Sequence, residues 1–209
     1  MPAQAVLWDF GGVILDSPFD AFARYEESNG LPPGLLRGLN ATNPDANAWA
    51  RMERSEVPMD EFFDLFEAEA RAAGHEIDAR NVLALLSGSV RSEMVEAVRR
   101  CADRIPTGMV TNNFVGLDGP PRPEVAAIYD LFHVVIESSK VGFRKPDPRI
   151  YQMACEALGV APEDTVFLDD LGINLKPARA MGMHTIKVVD PGDALDALED
   201  AVGFPVRTA

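Results

Sequence analysis

The chain has 209 residues, of which 47% are hydrophobic and 25% are charged. This composition supports one buried core with room for a smaller insertion, and it excludes a disordered chain. The net charge of −14 argues against a nucleic-acid partner, and no apolar run approaches the roughly 20 residues of a membrane span.

Five short apolar runs, each ending at polar residues or glycine, predict the strands of a buried parallel sheet. They cover residues 5–9, 108–110, 133–136, 165–168 and 185–189. Helical patterns lie between them, such as 147–158 and 175–181, and a glycine closes each of these two. The alternation of strands and helices predicts an α/β fold with a Rossmann-like parallel sheet.

Residues 18–90 differ from the rest, because they contain amphipathic helical patterns and no convincing strand. Clear examples are 19–27 and 60–73, and turn signals such as Asn29-Gly30 separate the patterns. We therefore expect a small all-helical cap at 18–90, inserted after the first strand. The catalytic core is then formed by residues 1–17 and 91–209.

Acidic side chains follow two of the predicted strands. Asp9 ends the first strand, and Asp169 with Asp170 ends the fourth. Since ligands of parallel α/β sheets bind beyond the carboxyl ends of the strands, these acids should meet in one crevice. Asp9 suits a covalent nucleophile or an ordinary turn residue. The Asp169-Asp170 pair is suited to bind Mg2+, because clustered carboxylates repel one another without a cation. The alternative interpretation is a pair of acids at the start of a helix.

Two further positions carry groups suited to phosphate chemistry. Thr111 and Asn112 end the second strand and offer a hydroxyl and an amide, which suit either phosphoryl binding or a polar turn. Lys145 precedes Pro146 at the start of a helical pattern and could offset negative charge in the crevice. Arg144 competes for that role, and a solvated surface lysine is the alternative.

The order of these motifs resembles the haloacid dehalogenase superfamily over essentially the whole chain. The matching residues are Asp-Phe-Gly-Gly-Val at 9–13, Thr-Asn-Asn at 111–113, Lys-Pro at 145–146 and Phe-Leu-Asp-Asp at 167–170. Two further segments, Ala-Arg-Met-Glu-Arg at 50–54 and residues 167–183, are similar to the phosphatase domain of soluble epoxide hydrolases and its relatives.

The resemblance implies a magnesium-dependent phosphatase in which Asp9 attacks phosphorus and forms an aspartyl-phosphate. Mg2+ would be held by Asp9, the backbone carbonyl of Gly11 and Asp170, with Asp169 in support. The implied phosphate-binding residues are Thr111, Asn112 and Lys145, with Lys145 also catalytic. Asn174 would support the metal-binding residues without contacting the metal itself.

One position departs from the family pattern. Phosphatases of this superfamily usually carry a second Asp two residues after the nucleophile, and Gly11 stands there. General acid–base help contributes about 10²–10⁴-fold, so we expect slow turnover or a preference for good leaving groups. Asp16 lies nearby in sequence, but we interpret it as a turn residue.

The expected partner is a small phosphorylated metabolite. A non-catalytic protein that binds phospho-ligands or proteins, and a 2-haloacid dehalogenase, remain alternative functions. Cys101 and Cys155 lie outside metal-ligand spacings, and the amino terminus lacks the pattern of a signal peptide. We therefore predict reduced thiols and a cytoplasmic location, while the oligomeric state is not readable from the sequence.

Overall fold

The computed structural model describes residues 1–115 and 123–208. Its centre is a sheet of five parallel strands in the order β3-β2-β1-β4-β5. The strands are β1 (Ala5–Trp8), β2 (Thr107–Thr111), β3 (Val134–Glu137), β4 (Thr165–Asp169) and β5 (His184–Lys187). The predicted α/β fold with a Rossmann-like parallel sheet is confirmed.

Helices connect the strands along the chain. Five of them fall between β1 and the end of the predicted insertion: α1 (Phe19–Ser28), α2 (Leu35–Ala41), α3 (Ala48–Glu53), α4 (Met59–Ala72) and α5 (Ala79–Ala84). The others are α6 (Ser92–Ala102), α7 (Pro123–Tyr129), α8 (Ser138–Val141), α9 (Pro148–Leu158), α10 (Gly172–Ala180) and α11 (Pro191–Val202), with a short 3-10 helix at Pro162–Asp164. Both ends of α9 are capped. At its start the Asp147 carboxylate accepts a hydrogen bond from the Arg149 N–H, and at its end Gly159 has a φ of 70°.

The sheet is buried on both faces, as expected for parallel strands between helices. Along β1, Val6 and Trp8 belong to one apolar cluster and Leu7 belongs to another on the opposite face. β4 alternates in the same way, with Phe167 in the cluster of Leu7. The continuous apolar runs in the sequence are therefore explained by burial on both sides.

The helices α1–α5 have an apolar cluster of their own. Trp49 meets the rings of Phe62 and Phe66 edge-on at 5.3 and 5.6 Å between centroids. The chain passes between this cluster and the sheet in two adjacent segments, where Leu15 and Val90 form an antiparallel bridge. These helices match the all-helical pattern of 18–90, and the domain limits themselves stay a prediction.

The strand order places a change of direction beside β1. From the central β1, the chain moves to β2 and β3 on one side, and later to β4 and β5 on the other. The carboxyl ends of β1 and β4 therefore flank a topological switch point, where parallel α/β sheets bind ligands. Asp9 directly follows β1, and Asp169 is the last residue of β4.

Candidate active site

Three carboxylates meet at this switch point. One oxygen each from Asp9, Asp169 and Asp170 lies within 4.8 Å of the others. The strand pairing holds them together, because the Asp9 N–H donates to the Leu168 carbonyl at 2.9 Å. The structure therefore brings together the acids that the sequence placed on separate strand ends.

Lys145 lies between two of these acids. Its Nζ is 2.7 Å from Asp9 Oδ1 and 2.7 Å from Asp169 Oδ2, and its side chain is only 1% exposed. The carboxylate of Asp169 also accepts bonds from the Asn174 side-chain amide at 3.0 and 3.1 Å and from the Leu171 N–H at 2.8 Å. Both carboxylate oxygens of Asp169 thus accept hydrogen bonds from protein groups, and Asn174 is one of the donors.

The electrostatics of the site show an excess of negative charge. Burial raises the pKa of Asp9 well above its usual range, and the nearby Lys145 offsets this only in part. Burial and the charge of Asp169 raise the pKa of Asp170 to about 6. Burial alone would lower the pKa of Lys145, but the charges of Asp169 and Asp9 outweigh it and raise that pKa. Asp9 and Asp170 therefore offer hard carboxylate oxygens that fit Mg2+, while the oxygens of Asp169 are already bonded to Lys145 and Asn174.

The two glycines after Asp9 have different roles. Gly12 has a φ of 75°, and a Cβ on it would lie 2.3 Å from Asp170 Oδ2, so the Asp170 carboxylate needs a glycine there. Gly11 is exposed and outside the left-handed region, and a Cβ on it would meet nothing within 4 Å. The backbone conformation therefore does not explain the glycine at 11.

Thr111 and Asn112 lie at the end of β2, next to the site. Thr111 is buried as the last residue of the strand. The Asn112 side chain faces the backbone of Lys145: its Oδ1 accepts from the Lys145 N–H at 2.8 Å, and its Nδ2 donates to the Lys145 carbonyl at 3.1 Å. The amide oxygen and one of the two amide N–H groups of Asn112 thus fix the backbone of the lysine.

The two competing residues are engaged elsewhere. Arg144 pairs with Glu53, and its Nε lies 2.5 Å from Glu53 Oε2. Asp16 pairs with Arg91 at 3.2 Å, and its side chain is half exposed. Lys145 is therefore the cation that bridges Asp9 and Asp169, and the interpretation of Asp16 as a turn residue stays a prediction.

Two supporting residues were missed by the sequence reasoning. Arg91 donates from Nη1 to the Gly12 carbonyl at 2.9 Å and so supports the loop after Asp9. Glu53 lies in the Ala-Arg-Met-Glu-Arg segment, which was recognised only as a resemblance. Nothing in the sequence pairs either residue with its partner, because each contact depends on the tertiary fold.

The fold and the site place three carboxylates and one buried lysine at the switch point of a parallel sheet. A family model of haloacid dehalogenase-like hydrolases matches residues 3–182. The chain belongs to this family, as the motif order predicted.

Known relatives agree with this assignment. The chain is 31% identical over 223 residues to mouse bifunctional epoxide hydrolase 2, covering 98% of this chain and 40% of the relative. It is 32% identical over 215 residues to a phosphatase of Mycobacterium tuberculosis, covering 95% of this chain and 93% of the relative. The chain spans 20% to 40% of the length of the mammalian relatives it matches.

Solved structures share the fold. A haloacid dehalogenase family enzyme from Bacteroides thetaiotaomicron, solved with magnesium and inorganic phosphate, has a TM-score of 0.57 and 19% identity. The match covers 88% of this chain and 93% of that enzyme. Among the described residues, none of the helices is both long and apolar enough to cross a membrane.

Proposed function

We propose that the protein is a Mg2+-dependent phosphatase that acts on a small phosphorylated metabolite through an aspartyl-phosphate at Asp9. The observation that carries this proposal is the cluster of Asp9, Asp169 and Asp170 around the buried Lys145. The similarity to the Mycobacterium tuberculosis phosphatase supports it, since that relative is matched over nearly its whole length.

The chain's own groups suit the first half of this reaction. An Asp9 carboxylate oxygen attacks phosphorus, and the bond to the leaving oxygen breaks. Lys145 and the second amide N–H of Asn112 hold the phosphoryl oxygens, together with the Thr111 hydroxyl. Mg2+, when bound by Asp9, Asp170 and the Gly11 carbonyl, supplies positive charge to the attacked phosphoryl group. Asp169 supports the site indirectly, by holding Lys145, because its oxygens are already bonded to Lys145 and Asn174.

Both halves of the reaction lack the usual acid–base side chain. With glycine at 11, no side chain there protonates the leaving group or activates the water that cleaves the aspartyl-phosphate. We propose that substrates with good leaving groups, such as acyl or glycosyl phosphates, are favoured. Residues 18–90 would select among them as a cap over the crevice.

Gly11 also favours one alternative, a protein that binds phospho-ligands without turnover. A dehalogenase is less well supported, because the three carboxylates exceed the charge of Lys145 and call for a cation that this chemistry does not use. These alternatives differ in metal dependence and in product, so one set of assays separates them.

The test measures phosphate release from 4-nitrophenyl phosphate, with and without Mg2+, and then from a panel of phosphorylated metabolites. We expect release only with Mg2+ and none from Asp9→Asn, which keeps the shape of the nucleophile but not its charge. Binding of Mg2+ and phosphate without release would support the non-catalytic alternative. Halide release without metal from a 2-haloacid would support the dehalogenase and refute the proposal.

A further inference from the structure

The residue next to the catalytic lysine reaches into the helical insertion. Arg144 Nε lies 2.5 Å from Oε2 of Glu53, the last residue of α3. Arg144 also donates from Nη1 to the Pro44 carbonyl at 3.1 Å. The two side chains are only 22% and 14% exposed, so this pair is largely removed from water. The chain thus places a core–insertion contact one residue away from Lys145.

A second contact joins the same two parts of the protein. The Ser55 hydroxyl, just after α3, donates to the Ser139 carbonyl at 2.9 Å. Ser139 in turn donates from its N–H and its hydroxyl to Asn113 Oδ1, at 3.2 and 2.8 Å. Asn113 follows Asn112, whose amide brackets the backbone of Lys145. Both contacts from α3 therefore lead to the segments that hold this lysine.

The Glu53–Arg144 pair is sensitive to the position of the insertion. Burial raises the pKa of Glu53, although the charges of Arg144 and Lys145 act in the opposite direction. A carboxylate in such a place depends on its partner, because a buried charge that loses its counter-charge is strongly unfavourable. If the insertion moved away, both groups would have to regain water, and the turn that carries Lys145 would lose its anchor.

We propose that Glu53 and Arg144 are positioning residues that couple the docking of the insertion to the placement of Lys145 between Asp9 and Asp169. The docked insertion holds Arg144, and Arg144 fixes the turn from which Lys145 enters the site. The effect on turnover rests on the phosphatase function proposed above, whereas the effect on Lys145 does not.

The first test follows Lys145 itself, without any activity. Native protein is treated briefly with acetic anhydride, and acetylation is measured by peptide mass spectrometry relative to Lys140, whose side chain is 72% exposed. In wild type, Lys145 should stay protected. Glu53→Gln and Arg144→Gln should each raise the Lys145 to Lys140 ratio by about tenfold or more. Arg51→Gln, which removes an ion pair between α3 and α4 inside the insertion, is the matched control and should leave the ratio unchanged.

Global unfolding would also expose Lys145, so a second reporter is needed. Cys101 is fully buried in the core beneath the sheet. Its alkylation by iodoacetamide should stay as slow in the variants as in wild type if only the insertion is displaced. Should both pair variants fail to fold, Ser55→Ala decides the question, because it removes only one hydroxyl. It should raise the Lys145 ratio by about two- to threefold, and an unchanged ratio would overturn the proposal.

The second test measures kcat and KM with 4-nitrophenyl phosphate. Since Lys145 offsets charge that grows during phosphoryl transfer, kcat should fall by roughly 10-fold to 100-fold and KM should change much less. The double variant Glu53→Gln/Arg144→Gln should lose no more than the worse single variant, because both act through one pair. Additive losses, or variants with lower melting temperatures and normal kcat and Lys145 protection, would assign the pair a purely structural role. An inactive wild type with the expected change in labelling would refute the phosphatase and leave the coupling standing.

Discussion

Replacing Gly11 by aspartate tests whether the missing acid limits catalysis. The backbone there accepts a side chain, because Gly11 is outside the left-handed region and an added Cβ meets nothing within 4 Å. The position is exposed, so the new carboxyl group stays hydrated beside the three existing ones. The carbonyl of residue 11, proposed as a metal ligand, is kept. Gly11→Asp should therefore fold and bind Mg2+ like wild type.

The expected gain depends on the leaving group. A positioned acid contributes about 10²–10⁴-fold in sites shaped for it, so we expect a gain within about 10²-fold here. The assay compares kcat/KM for an alkyl phosphate, which needs a proton on its leaving oxygen, with that for 4-nitrophenyl phosphate, which does not. The alkyl phosphate should gain more, and any shared gain would arise in breakdown of the aspartyl-phosphate. Gly11→Asn is the control, since it has the same shape and no acid. A folded, Mg2+-binding Gly11→Asp that is no faster than Gly11→Asn would refute the reasoning.

Three further changes probe the site and the fold. Asp170→Asn should abolish the rise in melting temperature with Mg2+, which in wild type corresponds to about 2.7 kcal/mol at 100 times Kd; an equal rise in both proteins would contradict the metal site. Gly12→Ala should cost roughly 1–3 kcal/mol in urea unfolding, through strain at a φ of 75° and contact with Asp170, and an unchanged midpoint would count against this. Bonds from Val206 and Arg207 lower the pKa of Glu199 to about 2, from an ordinary 4.5, with the Arg207 side chain as the largest cause. This stabilisation is present above pH 4.5 and is lost as pH falls toward 2, so Glu199→Gln should lower the melting temperature at pH 7 and less at pH 3.

The sheet was predictable because its strands are short and buried on both faces. Continuous apolar runs ending at polar residues predicted all five strands in sequence, and their ends differ from the structure by at most two residues. The helix α10 was predicted from Leu175 but begins at Gly172. Its first turn lacks apolar residues in a regular helical pattern, and its start is set by the turn after Asp170.

The chemistry of the site was predictable where it depends on strand ends. Asp9 and the Asp169-Asp170 pair had to converge once the strands were parallel and adjacent. The hydrogen-bond partners of the site side chains were not predictable in the same way. Asn112 was expected at the phosphate, yet the fold brings the Lys145 backbone within 2.8 and 3.1 Å of its amide. The two segments are 33 residues apart, and the sequence contains no signal for this contact.

The contacts that the sequence did not predict fall into two groups, those within the core and those between the core and the insertion. Asp169 and the backbone of Lys145 are held by bonds within the core, from Asn174 and Asn112 respectively. In the proposed coupling, the contacts of Glu53 with Arg144 and of Ser55 with Ser139 are the links between the insertion and Lys145. Because these contacts meet the Arg144 side chain and the Ser139 carbonyl and, among the described residues, none of the three acids directly, a displaced insertion should leave the carboxylate cluster intact and change the placement of the lysine. Loss of the Glu53–Arg144 pair should then leave Mg2+ binding unchanged while turnover falls. Mg2+ binding and turnover would thus depend on different contacts.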